Sequence, residues 1–88
     1  MGNYNIAFKP TAEKELNLIP IKFAKQIINK IHLLKHNPRP MGVKKLKNDT
    51  SYRIRVGMYR VIYEINDKNK TVTVYKIRHR KDVYRLRY

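Results

Sequence analysis

Arg53, Arg55, Arg60 and Arg78, with His79, Tyr84 and Tyr88 close behind, are the residues here whose types and spacing can do chemistry. A guanidinium is planar, stays charged at any working pH and grips a phosphate through two parallel N–H bonds. His79 and the two tail tyrosines lie within ten residues of Arg78 and can stack on bases or pass a proton. RNA carries its own nucleophile, the 2′-hydroxyl, so cutting it requires no metal and no cofactor. Three tasks remain: orienting that hydroxyl, holding a doubly charged phosphorane, and helping the 5′ oxygen leave. Arginines suit the second through electrostatic stabilisation, often the largest contribution to catalysis. Histidine or tyrosine suits the first and third.

These residues need a scaffold, and its centre is the stretch S-Y-R-I-R-V-G-M-Y-R-V-I-Y-E-I from Ser51 to Ile65. Two alternating runs flank Gly57-Met58, and a two-residue loop with glycine first predicts a hairpin closed by a type II′ turn. That register pairs Val56 with Tyr59, Arg55 with Arg60, Ile54 with Val61 and Arg53 with Ile62. One face then collects Tyr52, Ile54, Val56, Tyr59, Val61 and Tyr63 as a core side; the other collects Arg53, Arg55 and Arg60. Like charges set directly opposite each other destabilise a sheet, so the second face anticipates an anion.

The remaining elements follow from periodicity. Tyr4 to Phe8 alternates as a short first strand. Pro10-Thr11 breaks it, with Thr11 as N-cap of a short helix from Ala12 to about Leu18 that carries Glu13 and Glu15 in its first turn. Pro20 opens a second helix whose Ile21, Ala24, Ile27, Ile28, Ile31 and Leu34 share one face, and Asn37-Pro38-Arg39-Pro40 ends it. Met41 to Thr50 reads as a basic connector holding Lys44, Lys45 and Lys47. Thr71 to Arg78 is a further strand after a polar turn. An odd loop in that turn puts Lys76 and Arg78 on the arginine face, an even one Tyr75 and Ile77; the odd loop is preferred, because burying Lys76 and Arg78 under helices is costly. His79 to Tyr88 forms a helical turn or loose tail. The fold class is α+β: a helical hairpin on one face of a small, mainly antiparallel four-stranded sheet, with the position of the first strand left open, and residues 1–88 forming one domain.

Composition narrows the partners. Lys and Arg number 21 against 6 acids, a formal charge of +15 that repels itself unless a polyanion or acidic protein is near. Nucleic acid comes first, since neutralising phosphates rewards clustered cations. Apolar content of 42% is too high for a disordered basic tail. No basic amphipathic helix with an aromatic back stands out, which argues against a membrane surface. Without cysteine there is no disulfide framework or thiolate chemistry, and without a signal-peptide core or an 18-residue apolar run the expected location is the cytoplasm.

The run Y-R-I-R-V-G-M-Y-R-V-I-Y-E-I, followed by V-T-V-Y-K-I-R-H-R-K-D-V-Y, resembles the RelE/ParE superfamily of bacterial and archaeal toxins, on the RelE side. The resemblance spans nearly the whole chain, including the K-K-L-K connector and the closing H-R-x-x-V-Y. It implies a RelE-like fold and a ribosome-dependent mRNA interferase, neutralised by a small acidic antitoxin that wraps the basic surface. The toxin is then a monomer alone and part of a hetero-oligomer with its antitoxin. It also implies catalytic roles for Arg53 and Arg55 as the basic pair, Arg60 after the turn, Arg78 ending the last strand, and Tyr84 in the tail. RelE-type enzymes can carry lysines where Arg53 and Arg55 stand, and arginine hardly deprotonates, so the base falls to Tyr84 or is shared with His79. Lys44, Lys45, Lys47, Lys76, Arg80 and Lys81 are candidates for contacts to the RNA backbone.

Two other functions compete. A ParE-like toxin would inhibit DNA gyrase by binding it, with no nuclease site; a basic RNA-binding module would hold RNA without cutting. The joint presence of Arg60, Arg78 and Tyr84 favours the endonuclease.

Overall fold

The central hairpin forms in the register that its alternation predicts. In the computed structural model, which describes residues 3–46 and 51–79, β3 (Ser51–Val56) and β4 (Tyr59–Asn66) pair antiparallel, with Arg55 opposite Arg60 and Val56 opposite Tyr59. Gly57 takes φ +60° while Met58 stays negative, which is the type II′ pattern that glycine permits at no steric cost.

Around this hairpin the sheet has, among the described residues, five strands, not four. The order is β1 (Asn5–Phe8), β5 (Thr71–His79), β4, β3, β2 (Lys44–Lys45). The first strand takes the far edge, parallel to β5 with Asn5 beside Thr71 and Phe8 beside Val74. The fifth comes from the basic connector: Lys44 pairs with Arg53 and Lys45 with Tyr52. Two residues have no periodicity to read, so this strand exists because β3 offers it an open edge.

The register of β4 against β5 keeps the expected face by another route. The loop between Asn66 and Thr71 holds four residues, an even number, with Lys70 at φ +53°. That length alone would turn Tyr75 and Ile77 toward the arginines. A bulge intervenes: Tyr63 faces Val74 but Ile62 faces Lys76, leaving Tyr75 as the extra residue. Lys76 and Arg78 therefore do lie on the arginine face. The strand's buried residues, Val72, Val74 and Ile77, show the change of step directly.

The first helix begins earlier than the sequence reading places it. Helix α1 (Pro10–Leu18) starts at Pro10, whose fixed φ and missing N–H suit the first helical position, so Thr11 lies inside it and is not the cap. The N-cap position is Lys9, whose N–H bonds to Val74 O as the end of the parallel ladder. With the start moved back, Glu13 stays in the first turn and Glu15 moves on to the second, against β5. Helix α2 (Ile21–Leu33) buries Ile27 and Ile31, and Leu34 just beyond it, while Ile21 is 72% exposed. These residues meet Ala12, Tyr52, Ile54, Val61, Tyr63, Val72 and Val74 in one core. Each fully buried aliphatic side chain there contributes about 1.5–3 kcal/mol.

A polar staple ties the end of α2 to the sheet. Arg39 donates from Nη1 and Nη2 to both oxygens of Asp67, at 3.2 and 2.9 Å, and from Nε to the Tyr52 hydroxyl at 3.1 Å. Tyr4 donates to Asp67 Oδ1 at 2.7 Å, and the Tyr63 hydroxyl to the Pro38 carbonyl at 2.7 Å. Hydrogen bonds from Arg39 and then Tyr4 hold the Asp67 carboxyl down from its ordinary 3.8 to about 2. A depressed carboxylate pKa contributes stability that is full above the unfolded value and is lost as pH falls through the folded one. Melts recorded from pH 5 downward should therefore show a loss of stability between about pH 4 and 2 that Asp67→Asn largely removes. Asp67 is more than half exposed, so the effect should shrink in high salt.

Candidate functional site

Strand pairing aligns the basic residues in two rows on the face away from the helices. Arg55, Arg60 and Arg78 stand directly opposite one another across β3, β4 and β5. One step along, Lys44, Arg53, Ile62 and Lys76 form the second row across β2 to β5. Neighbouring strands lie about 4.8 Å apart and same-face residues about 7 Å apart along a strand, so the cations form a closely spaced array. Arg55 is exposed, and Arg53, Arg60 and Arg78 are half-buried.

A groove of about 340 Å³ opens on these rows, lined by Gly42, Lys44, Arg53, Arg55 and Arg60. Gly42 is the member that sequence reasoning missed. It sits at φ +92° in a turn where Val43 N–H bonds to Pro40 O at 3.2 Å, and a type II turn requires such a residue at its third position. Glycine two residues after Pro40 was the available signal.

Not every candidate joins the groove. Lys45 is opposite Tyr52, so it points to the other side of the sheet from Lys44. His79 is opposite Tyr59, and the two rings meet edge to face with centroids 5.1 Å apart. It therefore sits on the side turned from Arg60, in a second cleft of about 250 Å³ that it shares with Glu15, Tyr59 and Arg78. Arg78 lines this second cleft and not the groove. Its backbone is opposite Arg60, yet its Nε lies 3.2 Å from Glu15 Oε2, with the side chains 27% and 21% exposed. Lys47, Arg80, Lys81 and Tyr84 lie outside the described residues.

The far end of the basic face carries a carboxylate. Glu64 accepts from the Tyr75 hydroxyl at 3.0 Å and from Ser51 Oγ at 3.4 Å. Its hydrogen bond pushes the Tyr75 hydroxyl pKa up, keeping that phenol protonated. Tyr75 reaches this acid because it is the bulged residue.

Comparison with known proteins agrees with this architecture. Residues 6–84 match the family described as the ParE toxin of the type II toxin-antitoxin system parDE. Toxin RelE of Mycobacterium tuberculosis is 34% identical over 86 residues, covering 94% of this chain and 88% of its own. Toxin RelG of the same organism is 29% identical over 85 residues, covering 93% and 97%. The toxin fold in the archaeal RelE–RelB complex from Pyrococcus horikoshii superposes with a TM-score of 0.81 at 28% identity, covering 89% of this chain and 96% of that one. Fold and basic face together are those of a small toxin from a type II toxin–antitoxin pair. The chain belongs to the RelE/ParE superfamily of these toxins.

Proposed function

We propose that this toxin is a cytoplasmic, single-domain endoribonuclease that cuts mRNA on the ribosome without a metal ion. The observation that carries the reading is the double row of cations, Arg55–Arg60–Arg78 beside Lys44–Arg53–Lys76, aligned on an open sheet face. The 2′-oxygen attacks the adjacent phosphorus and gives up its proton to a base. The bond to the 5′-oxygen then breaks, that oxygen takes a proton from an acid, and a cyclic phosphate and a 5′-hydroxyl result. Arg55 and Arg60 supply positive charge where the phosphorane develops its second negative charge. Arg53, Lys44 and Lys76 hold the flanking phosphates, and proton transfer falls to Tyr84 or His79. An acidic antitoxin that covers this face would silence the toxin, and an antitoxin partner is supported by the RelB–RelE antitoxin–toxin complex of a structural relative.

Primer extension on a defined message, with purified protein and with or without programmed ribosomes, tests the reading. Cuts are expected only where ribosomes are present. The ParE description of the matching family favours a second reading, inhibition of DNA gyrase by binding. A folded protein that arrests growth and damages DNA while messages stay intact would establish that reading in place of the first.

A further inference from the structure

The parallel ladder between β1 and β5 ends when the chain turns away at Lys9, so among the described residues the second half of β5 has no strand on that side. Glu15, in the second turn of α1, takes the vacant place. Its Oε1 accepts the Ile77 backbone N–H at 2.8 Å, and its Oε2 lies 3.2 Å from Arg78 Nε. A neutral glutamine would cap the Ile77 amide as well, so the negative charge answers to Arg78.

Arg78 needs such a partner. It is directly opposite Arg60, which is directly opposite Arg55, and like charges set in such a row repel one another. Among the described residues no other hydrogen bond or ion pair reaches the Arg78 guanidinium. The contact uses Nε and leaves both Nη groups, the end-on fork that fits a phosphate. Arg78 Nε is buried, and its N–H is not aligned as a hydrogen bond to the carboxylate. Catalytic contacts are often loose in this way until the ligand draws them tight.

We propose that Glu15 is a positioning residue for Arg78: anchored on the Ile77 amide, its carboxylate holds the guanidinium by Nε and presents both Nη groups to an RNA phosphate. The consequence for cleavage rests on the endoribonuclease reading above. Misplacing one group at a reacting centre slows a reaction by up to about 100-fold. In single-turnover cleavage on programmed ribosomes, Glu15→Ala should lower the maximal rate by about 10–100-fold. The half-saturating protein concentration should change little. Glu15→Gln keeps the amide cap but not the charge, and should fall between Glu15→Ala and wild type. A merely structural role would lower stability and leave the rate of the folded fraction unchanged.

A second readout does not depend on cleavage. In ¹⁵N spectra of the arginine Nε–H groups, with the Arg78 peak assigned by its loss in Arg78→Lys, wild type should show a resolved, slowly exchanging signal. Glu15→Ala should broaden it, and the Arg78 signal should then need more inorganic phosphate to shift. A wild-type protein that leaves ribosomal message intact defeats the nuclease reading alone, and these spectra still decide whether Glu15 holds Arg78. Identical Arg78 spectra and phosphate response in wild type and Glu15→Ala overturn the proposal. So does a Glu15→Gln or folded Glu15→Ala protein that cleaves at or above the wild-type rate. If Glu15→Ala does not fold, Glu15→Gln carries both measurements.

Discussion

Arg60→Ala should lower the single-turnover rate of ribosome-dependent cleavage by about 10²–10³-fold, the usual consequence of removing one preorganised donor from a developing oxyanion. Arg60 is the middle of the row, opposite Arg55 on one side and Arg78 on the other, so its charge lies nearest the centre of the cationic face. The stability of the same variant should move the other way or not at all. Removing the central charge relieves two like-charge pairings across the strands. A melting temperature equal to or above wild type, together with lost cleavage, identifies a residue kept for its ligand. A variant that melts normally and cleaves at the wild-type rate would remove Arg60 from the site and leave the row as a solvated basic surface.

What could be read from sequence tracks how local its cause is. The hairpin was legible because alternation and Gly57 are properties of one continuous stretch, and the pairing of Arg55 with Arg60 followed from counting. The bulge at Tyr75 was legible in principle: the apolar residues step from Val72 to Val74 to Ile77, by two and then by three. Assigning the choice of face to loop length gave the right face for Lys76 and Arg78 with the wrong geometry. Strand β2 was not legible, since two lysines acquire strand character only by pairing with Arg53 and Tyr52. The ion pair of Glu15 with Arg78 and the bridge from Arg39 to Asp67 join residues far apart in the chain. Propensity and spacing carry no trace of either. Reading the helix from Ala12 puts Glu15 in its first turn; the start at Pro10, two residues earlier, moves it into the second turn and against β5. The two arginine–carboxylate pairs thus use scarce acids where long-range placement matters, one at the edge of the basic face and one at the end of α2.

Tyr63 is where the core and that second anchor meet, and its substitution should have the largest effect on stability. The side chain is fully buried, stacks on Tyr52 with ring centroids 6.0 Å apart, and donates its hydroxyl to the Pro38 carbonyl at 2.7 Å. Burial pushes the hydroxyl pKa up, so it remains a donor throughout the working range. Tyr63→Phe keeps the packing but leaves the Pro38 carbonyl without its donor, at a cost of about 1–3 kcal/mol. Tyr63→Ala adds a cavity and should cost about 3–5 kcal/mol or more, as other large-to-small aromatic changes do. A chain of this size has about 5–10 kcal/mol in all, so the alanine variant should be marginally folded at best. The phenylalanine variant should melt lower by about 4–8 °C for each kcal/mol lost. The comparison separates two contributions. If Tyr63→Phe melts with wild type, the Pro38 bond adds nothing net and the ring alone anchors the segment after α2. If both variants fall by the same amount, the hydroxyl dominates and packing against Tyr52 is secondary. The expected order is wild type, then phenylalanine, then alanine well below. In that order the hydroxyl fixes where the chain leaves α2, and the ring holds the two central strands against the helices, which keeps the arginine rows aligned on the opposite face.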